Sequence, residues 1–222
     1  MYISQLPVEL LLASGSPRRR QIITLLGLSC INVVVSDDED EAQARYRGPN
    51  EQLALWLARH KAATALKRPE AAGRLVITAD TTVLLENELL GKPRDKSHAF
   101  ELLRTLRGRW HHVITGVVVC AVREGRTLMR SASCVTPVLM RAYSDAEIAS
   151  YIASGDPMDK AGGYGIQNPA FQPTARIDGC YFNVVGLPVC TLVDLLAEFG
   201  VYPAGRSARA QSDCPWSERC LI

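Results

Sequence analysis

The chain has 222 residues, of which 47 % are hydrophobic and 22 % are charged, and this composition excludes a disordered or fibrous protein. A single domain of this length buries ~70 % of its unfolded surface, so it needs no disulfide framework or structural metal. The 25 Lys and Arg residues nearly balance the 23 Asp and Glu residues, which disfavours a strongly basic nucleic-acid-binding protein.

The first half of the chain predicts alternating strands and helices. Leu10 to Ala13 is a short apolar run that predicts a buried strand, and Ser16-Pro17 predicts the start of a helix that Gly27 ends. Five successive acids, Asp37 to Glu41, are by default a solvated loop. The other elements of this half are a strand from Ile31 to Val35, a helix from about Asn50 to Leu66, and a strand from Arg74 to Ala79 that ends at Asp80.

The second half predicts long neighbouring strands. Those from about Val113 to Val122 and from Thr127 to Met140 must pair antiparallel, so we expect an α/β fold with an extended mixed sheet and flanking helices. Residues 1–200 are assigned to one domain and residues 201–222 to a poorly packed C-terminal tail. The remaining elements are a hairpin of Val83–Leu85 with Leu89-Leu90, a helix from Asp95 to Leu106, a capped helix after Ser144, a glycine-rich loop from Gly155 to Gln167, and a helix from Pro188 to Phe199.

Cysteine spacing and hydropathy indicate the compartment. The seven cysteines form no C-x-x-C pair, which favours small core residues in a reducing environment over a zinc site. The longest apolar stretch is far shorter than the ~18 residues that a membrane span needs. The segment from Met1 to Ser16 has no basic start and is a poor signal peptide. We therefore expect a cytoplasmic protein with no membrane partner.

The segment Ser14 to Arg20 is the first candidate site. A strand leads through small residues into a helix N-terminus, whose free N–H groups and dipole attract anions. The arginines Arg18, Arg19 and Arg20 follow at once, and a guanidinium binds phosphate through two parallel hydrogen bonds. The alternative is an ordinary turn between a strand and a helix, with solvated arginines.

Further candidates lie at Asp80 and in the glycine-rich loop. A carboxylate at the end of a buried strand faces the crevice where open α/β sheets bind ligands, and it can hold a metal or act as a base. The alternative is a turn-forming Asp capped by Thr81. Gln167 can hydrogen-bond to the edge of a nucleotide base through its amide. The alternative is that the loop is an ordinary surface turn. Lys61 and Lys92 are two further candidates, and the alternative for each is a solvated surface charge. The four histidines lack zinc-helix spacing, so no catalytic role is assigned to them.

Seven short segments, taken together and in order, carry a resemblance: Leu12 to Arg19, Lys61-Ala62, Ala79-Asp80-Thr81, Gly91 to Asp95, Ile114 to Val117, Lys160 to Gln167, and Asn183 to Pro188. They resemble the Maf family of nucleoside triphosphate pyrophosphatases. Each segment is weakly specific alone, but the ordered set spans roughly Leu10 to Phe199. The resemblance implies a fold like that of inosine triphosphate pyrophosphatases, with a cleft between two lobes.

The resemblance also implies an activity. It implies hydrolysis of a nucleoside triphosphate to a monophosphate and pyrophosphate, with a divalent metal such as Mg²⁺ or Mn²⁺. The loop ending in Tyr164 to Gln167 is similar to the subgroup that acts on dTTP and UTP, and not to the one that acts on 7-methyl-GTP. The nucleotide is then the expected partner, nucleic acid is not expected, and a homodimer stays open.

Site residues follow from the same resemblance. Asp80 matches the general base and a metal ligand, and Glu39 or Asp40 matches a further metal-site carboxylate, with the run of acids leaving that alignment open. The substrate-selecting positions are Arg18, Thr81 and Gln167. The residues expected to bind phosphate are Ser14, Ser16, Arg19, Lys61, Lys92 and Lys160. The mechanism that fits is direct attack of water on the α-phosphorus, with cations screening the triphosphate.

Three departures from the family pattern and three rival functions remain. Arg20 adds a third arginine, Asn168-Pro169-Ala170 replaces a glycine-rich continuation, and residues 200–222 match no family segment. The rivals are a non-catalytic nucleotide-binding regulator of cell division, a phosphatase that releases orthophosphate, and a pyrophosphatase for a modified nucleotide. The regulator would need the cationic turn but not Asp80.

Overall fold

The structure is a computed structural model that describes residues 9–35 and 39–203, leaving out the side chains of residues 39–41. In chain order its elements are β1 (Leu10–Ala13), α1 (Pro17–Leu25), β2 (Cys30–Val33), α2 (Glu39–Arg45), α3 (Leu53–Ala65), β3 (Leu75–Leu85), β4 (Glu88–Leu90), α4 (Lys96–Leu106), β5 (Trp110–Arg123), β6 (Arg126–Met140), α5 (Asp145–Ala153), β7 (Thr174–Ile177), α6 (Tyr181–Val185) and α7 (Val189–Ala197). No helix among these is long and apolar enough to cross a membrane.

The strands form one mixed sheet, which confirms the expected α/β class. The order is β2-β1-β3-β5-β6-β7, and β4 pairs with β3 outside that path. β1 is parallel to β2 and β3, whereas the other pairs are antiparallel. Glu124 and Gly125, with φ of 51° and 73°, form the tight turn between the long strands β5 and β6. The sheet is therefore parallel at one end and a long hairpin at the other.

A gap in strand pairing lies along one edge of β3. On that edge β1 pairs with Leu75–Ile77 and β4 pairs with Val83–Leu85, while β5 follows the opposite edge. No strand among the described residues pairs with Thr78–Thr82 on the first edge. Because the neighbouring strands stop short, a ligand can approach the middle of β3 from this side, as at the crevices of other open α/β sheets.

Helices cover both faces of the sheet. α3 packs its alanines against one face, where Thr78 Oγ1 donates to the carbonyl of Ala58 at 2.7 Å. On the opposite face there are two apolar clusters at the two ends of β3. One joins α1 and α7 to Ile77 and Val117, and the other joins α4 and α5 to Val83 and Val113. The gap in strand pairing lies between these clusters.

Two local expectations are wrong. β3 runs on to Leu85, so Asp80 lies in the middle of the strand and not at its carboxyl end. The β-branched residues Thr81 and Thr82 continue the pairing with β5, which extends the strand. The acids from Glu39 onward begin α2 instead of a loop.

Some elements escape sequence analysis, and some predictions lie beyond the described residues. The short elements β7 and α6 are not predicted, because four or five residues carry too little periodicity. Asp37 and Asp38 lie outside the described residues, as does the predicted tail from residue 204 onward. The assignment of residues 1–200 to one domain stays a prediction.

Candidate active site

A cavity of about 590 Å³ lies at the gap in β3. Its walls come from the turn after β1, the middle of β3, α3, and the loop that precedes β7. Ten residues singled out from the sequence line it: Ser14, Ser16, Arg18, Arg19, Lys61, Asp80, Thr81, Lys92, Lys160 and Gln167. Glu39 and Asp40 begin α2, but their side chains lie outside the described part of the chain. The fold therefore brings ten candidates from distant segments into one place.

The turn between β1 and α1 is shaped by the Ser14 side chain. Ser14 Oγ accepts a hydrogen bond from the Ser16 N–H at 3.1 Å, and the Ser14 N–H donates to the carbonyl of Val33 at 3.0 Å. Ser16 occupies the N-cap position before Pro17, but its hydroxyl makes no capping hydrogen bond. Without that cap, the first-turn amides of α1 keep their capacity to bind an anion.

A relay of hydrogen bonds fixes Arg19 and Thr81. Arg19 donates to the Gly186 carbonyl at 2.8 Å and to Thr81 Oγ1 at 3.1 Å. Thr81 Oγ1 lies 2.9 Å from Thr115 Oγ1, and Thr115 donates its single hydroxyl proton to the Asn183 carbonyl at 3.0 Å. Thr81 must then donate to Thr115, so its hydroxyl can offer a substrate only a lone pair. The relay ties α1 to α6 through Thr81 of β3 and Thr115 of β5.

Asp80 pairs with Lys61 inside the cavity wall. Lys61 Nζ and Asp80 Oδ2 form an ion pair, and the two side chains are 12 % and 11 % exposed. A pair so removed from water makes a strong charge-assisted hydrogen bond, and loss of either partner would leave the other poorly solvated. The carboxylate of Asp80 is thus paired with a cation that comes from α3.

Gly116 sets the distance between α3 and Asp80. Gly116 is the register partner of Asp80 on β5. A Cβ atom at this position would lie 2.6 Å from Leu55 N and 2.7 Å from the carbonyl carbon of Ala54, both in the α3 backbone. Only a residue without a side chain lets the helix approach so closely. This approach places Lys61, two turns further along α3, on the carboxylate.

Lys160 is held by two acids that the sequence analysis did not single out. Its ammonium donates to Asp156 Oδ1 at 2.9 Å and to Asp159 Oδ1 at 2.7 Å, and Arg18 Nη1 lies 3.7 Å from Asp159 Oδ2. Burial alone would raise the pKa of Asp156, but hydrogen bonds from Tyr151 and Lys160 hold that pKa below its ordinary value. The spacing of four residues between Asp156 and Lys160 was a signal for this pair in the sequence.

His111 is buried behind the cavity wall, where it contacts Tyr164. This buried residue places Nε2 2.6 Å from the hydroxyl of Tyr164, which lines the cavity, and the two rings meet edge to face. Burial lowers the pKa of His111 to about 4. The side chain is therefore neutral at physiological pH, and it is a buried partner of Tyr164.

The donors around the cavity fit a metal that arrives with a triphosphate. The described residues contain no cluster of three or more His, Cys, Asp or Glu side chains that could hold a metal. Asp80 supplies one buried carboxylate, whose Oδ2 pairs with Lys61, while Asp156 and Asp159 both pair with Lys160. Mg²⁺ at nucleotide sites takes one or two carboxylates together with phosphate oxygens, and Asp80 meets that requirement.

A profile of Maf-like proteins matches residues 9–199, which is most of the chain. The chain belongs to the Maf-like protein family. All seven segments of the resemblance lie within this match, as do the ten candidate residues in the cavity wall.

Curated Maf-like relatives are similar over nearly the same length. A protein of Thermomicrobium roseum is 45 % identical over 194 residues, which cover 87 % of this chain and 85 % of that protein. One from Dehalococcoides mccartyi is 41 % identical, covering 93 % and 89 %, and one from Gloeobacter violaceus is 42 % identical, covering 86 % and 96 %. Each is named dTTP/UTP pyrophosphatase.

Proposed function

We propose that this protein hydrolyses nucleoside triphosphates, dTTP and UTP foremost, to nucleoside monophosphate and pyrophosphate. The names of its Maf-like relatives support the reaction. The observation that carries it is the buried carboxylate of Asp80 in a cavity that also holds Arg18, Lys61 and Lys92. An acid among cations is what attack by water on a polyanion needs.

In this mechanism a water molecule attacks the α-phosphorus directly. The triphosphate repels an approaching nucleophile, and the cations of Arg18, Lys61 and Lys92 offset that charge and the charge that develops on pyrophosphate. Asp80 accepts the proton of the water. When the phosphates bind, Lys61 gains a second anionic partner. Its ion pair with Asp80 then weakens, which leaves the carboxylate able to act as the base.

The proposed reaction also uses a divalent metal, Mg²⁺ or Mn²⁺. When bound, it would supply Lewis-acid charge neutralisation on the phosphate oxygens. Asp80 would hold it, and Glu39 or Asp40 stays a predicted second ligand. Addition of EDTA to the wild type should abolish turnover, and excess Mg²⁺ should restore it. Full activity in the presence of EDTA would show that the reaction needs no divalent metal.

Base selection is assigned to Gln167 with Arg18 and Thr81. The Gln167 amide offers a donor and an acceptor, which match the carbonyl and N3–H of uracil or thymine, whereas cytosine has no N3–H. A polar group left unpaired by the wrong base penalises that base. Free nucleotides are then the partner of the site; a cytoplasmic location and the absence of a nucleic-acid partner stay predictions.

Product analysis with several triphosphates tests this function. We expect pyrophosphate, and not orthophosphate, from UTP and dTTP, with kcat/KM at least ~10-fold above that for CTP and dATP. Gln167→Ala should reduce that ratio more than it reduces kcat. Orthophosphate as the product would indicate a phosphatase, and binding without turnover would indicate the nucleotide-binding regulator. Equal rates on all four would refute only the base selection.

A further inference from the structure

The loop that carries Gln167 has little regular structure to hold it in place. Between α5 and β7 the chain forms only two short 3₁₀ turns, Asp156–Asp159 and Ala161–Gly163. Gly155, Gly162 and Gly163 all have positive φ, between 69° and 76°, and such glycine-rich backbone is intrinsically flexible. The position of the Gln167 amide must therefore be set by side-chain contacts within the loop.

The Asp156 carboxylate makes those contacts on both sides of Gln167. Its Oδ2 accepts from the Tyr151 hydroxyl at 2.6 Å and from Asn168 Nδ2 at 3.2 Å. The Tyr151 hydroxyl in turn accepts from the Gly165 N–H at 3.0 Å. One carboxylate thus links α5 to Gly165, two residues before Gln167, and to Asn168, the residue directly after it.

Two further features tighten this arrangement. Asn168 Oδ1 accepts from the N–H groups of Ala170 and Phe171, at 3.1 and 2.9 Å, so Asn168 joins the carboxylate to the following backbone. The stem of Lys160 packs under Gly165, where a Cβ atom would lie 2.8 Å from Lys160 Cε. Asn168 also begins the segment Asn168-Pro169-Ala170, which is one of the departures from the family pattern.

We propose that Asp156 is a positioning residue for base selection, which fixes the turn from Gly165 to Asn168 and with it the direction in which Gln167 presents its amide. This inference rests on the proposed function. An amide on a fixed backbone pairs well only with a base whose donor and acceptor match it. On a mobile backbone the amide can move away from a mismatched base and pair with water, so the penalty against cytosine and the selectivity decrease while the chemistry at Asp80 continues.

Two variants and a charge-matched control test the inference. Asp156→Asn keeps the shape but places an NH₂ group against donors, and Tyr151→Phe keeps the ring, which stacks on Phe171 with centroids 4.3 Å apart, but removes the hydroxyl. Asp145→Asn removes one carboxylate charge from the start of α5, where Asp145 pairs with Arg107. The UTP-to-CTP ratio of kcat/KM should decrease at least ~5-fold in the first two variants and stay unchanged in Asp145→Asn. The kcat for UTP should change less than ~3-fold in Tyr151→Phe, which leaves the ion pair of Asp156 with Lys160 in place.

Hydrogen exchange without nucleotide supplies a readout that is independent of turnover. Backbone amides of residues 163–171 should exchange at least ~10-fold faster in Asp156→Asn and Tyr151→Phe than in the wild type or Asp145→Asn. An unchanged ratio together with unchanged exchange in a folded Asp156→Asn protein would overturn the inference, as would an equal loss of selectivity in Asp145→Asn. If Asp156→Asn does not fold, Tyr151→Phe decides by the same two measurements. A wild type that shows no base preference would refute base selection, and faster exchange in the variants would still establish that Asp156 fixes the turn.

Discussion

The substitution Gly116→Ala tests whether the close approach of α3 positions the catalytic pair. The added methyl group would lie 2.6 Å from Leu55 N and 2.7 Å from the Ala54 carbonyl carbon, against ordinary contact distances of ~3.5–4 Å. Backbone atoms cannot rotate away, so α3 must move outward by about 1 Å, and Lys61 moves with it. Overpacking of this kind costs ~1–3 kcal/mol of folding free energy.

The expected effect on catalysis exceeds the effect on stability. Because a shift of ~1 Å in a catalytic group typically costs ~10²-fold in rate, we expect kcat/KM for UTP to decrease by about that factor in protein that is still folded. Pyrophosphate release measures the rate, and urea unfolding measures stability. Gly91→Ala, whose methyl would meet no atom within 4 Å, is the control for the stability of an added methyl group. Near-normal kcat/KM in Gly116→Ala would refute the argument that α3 must lie this close.

Two further predictions concern Asp80 and His111. Asp80→Asn should lower kcat by ~10²–10⁴-fold in protein that still folds, because the amide oxygen can accept from Lys61 but cannot take up the proton of the water. The melting temperature should decrease as well, since Lys61 loses its countercharge. A kcat within ~3-fold of wild type would assign the base to another group. The low pKa of folded His111, about 4, means that the unfolded chain binds the extra proton as the pH decreases below ~6.5. This linkage should remove about 2 kcal/mol of unfolding free energy by pH 5, measured by urea unfolding at pH 7.5 and 5. The His111→Phe variant should lose this pH dependence, whereas His112→Gln, a change at an exposed histidine, should keep it. Equal pH dependence of the unfolding free energy in the wild type and both variants would contradict the assignment of this effect to His111.

The sequence alone determined the helix caps and the chemical character of the site. Ser144 with Glu147 and Asp95 with His98 form helix caps by contacts within three residues, and both are present as their spacing predicts. The ordered segments from Leu12 to Pro188 were enough to place the chain in its family, because each is a short run whose identity does not depend on folding. The ten candidate residues were named from such runs before any distance between them was known.

Only the tertiary structure decided how those residues act on one another. The ion pair of Lys61 with Asp80 depends on Gly116 in a third segment, and Asp80 faces the cavity because β1 and β4 leave a gap beside it. Strand register and helix approach join residues far apart in the chain, and a one-dimensional pattern carries no information on either because both are set by packing of the whole sheet.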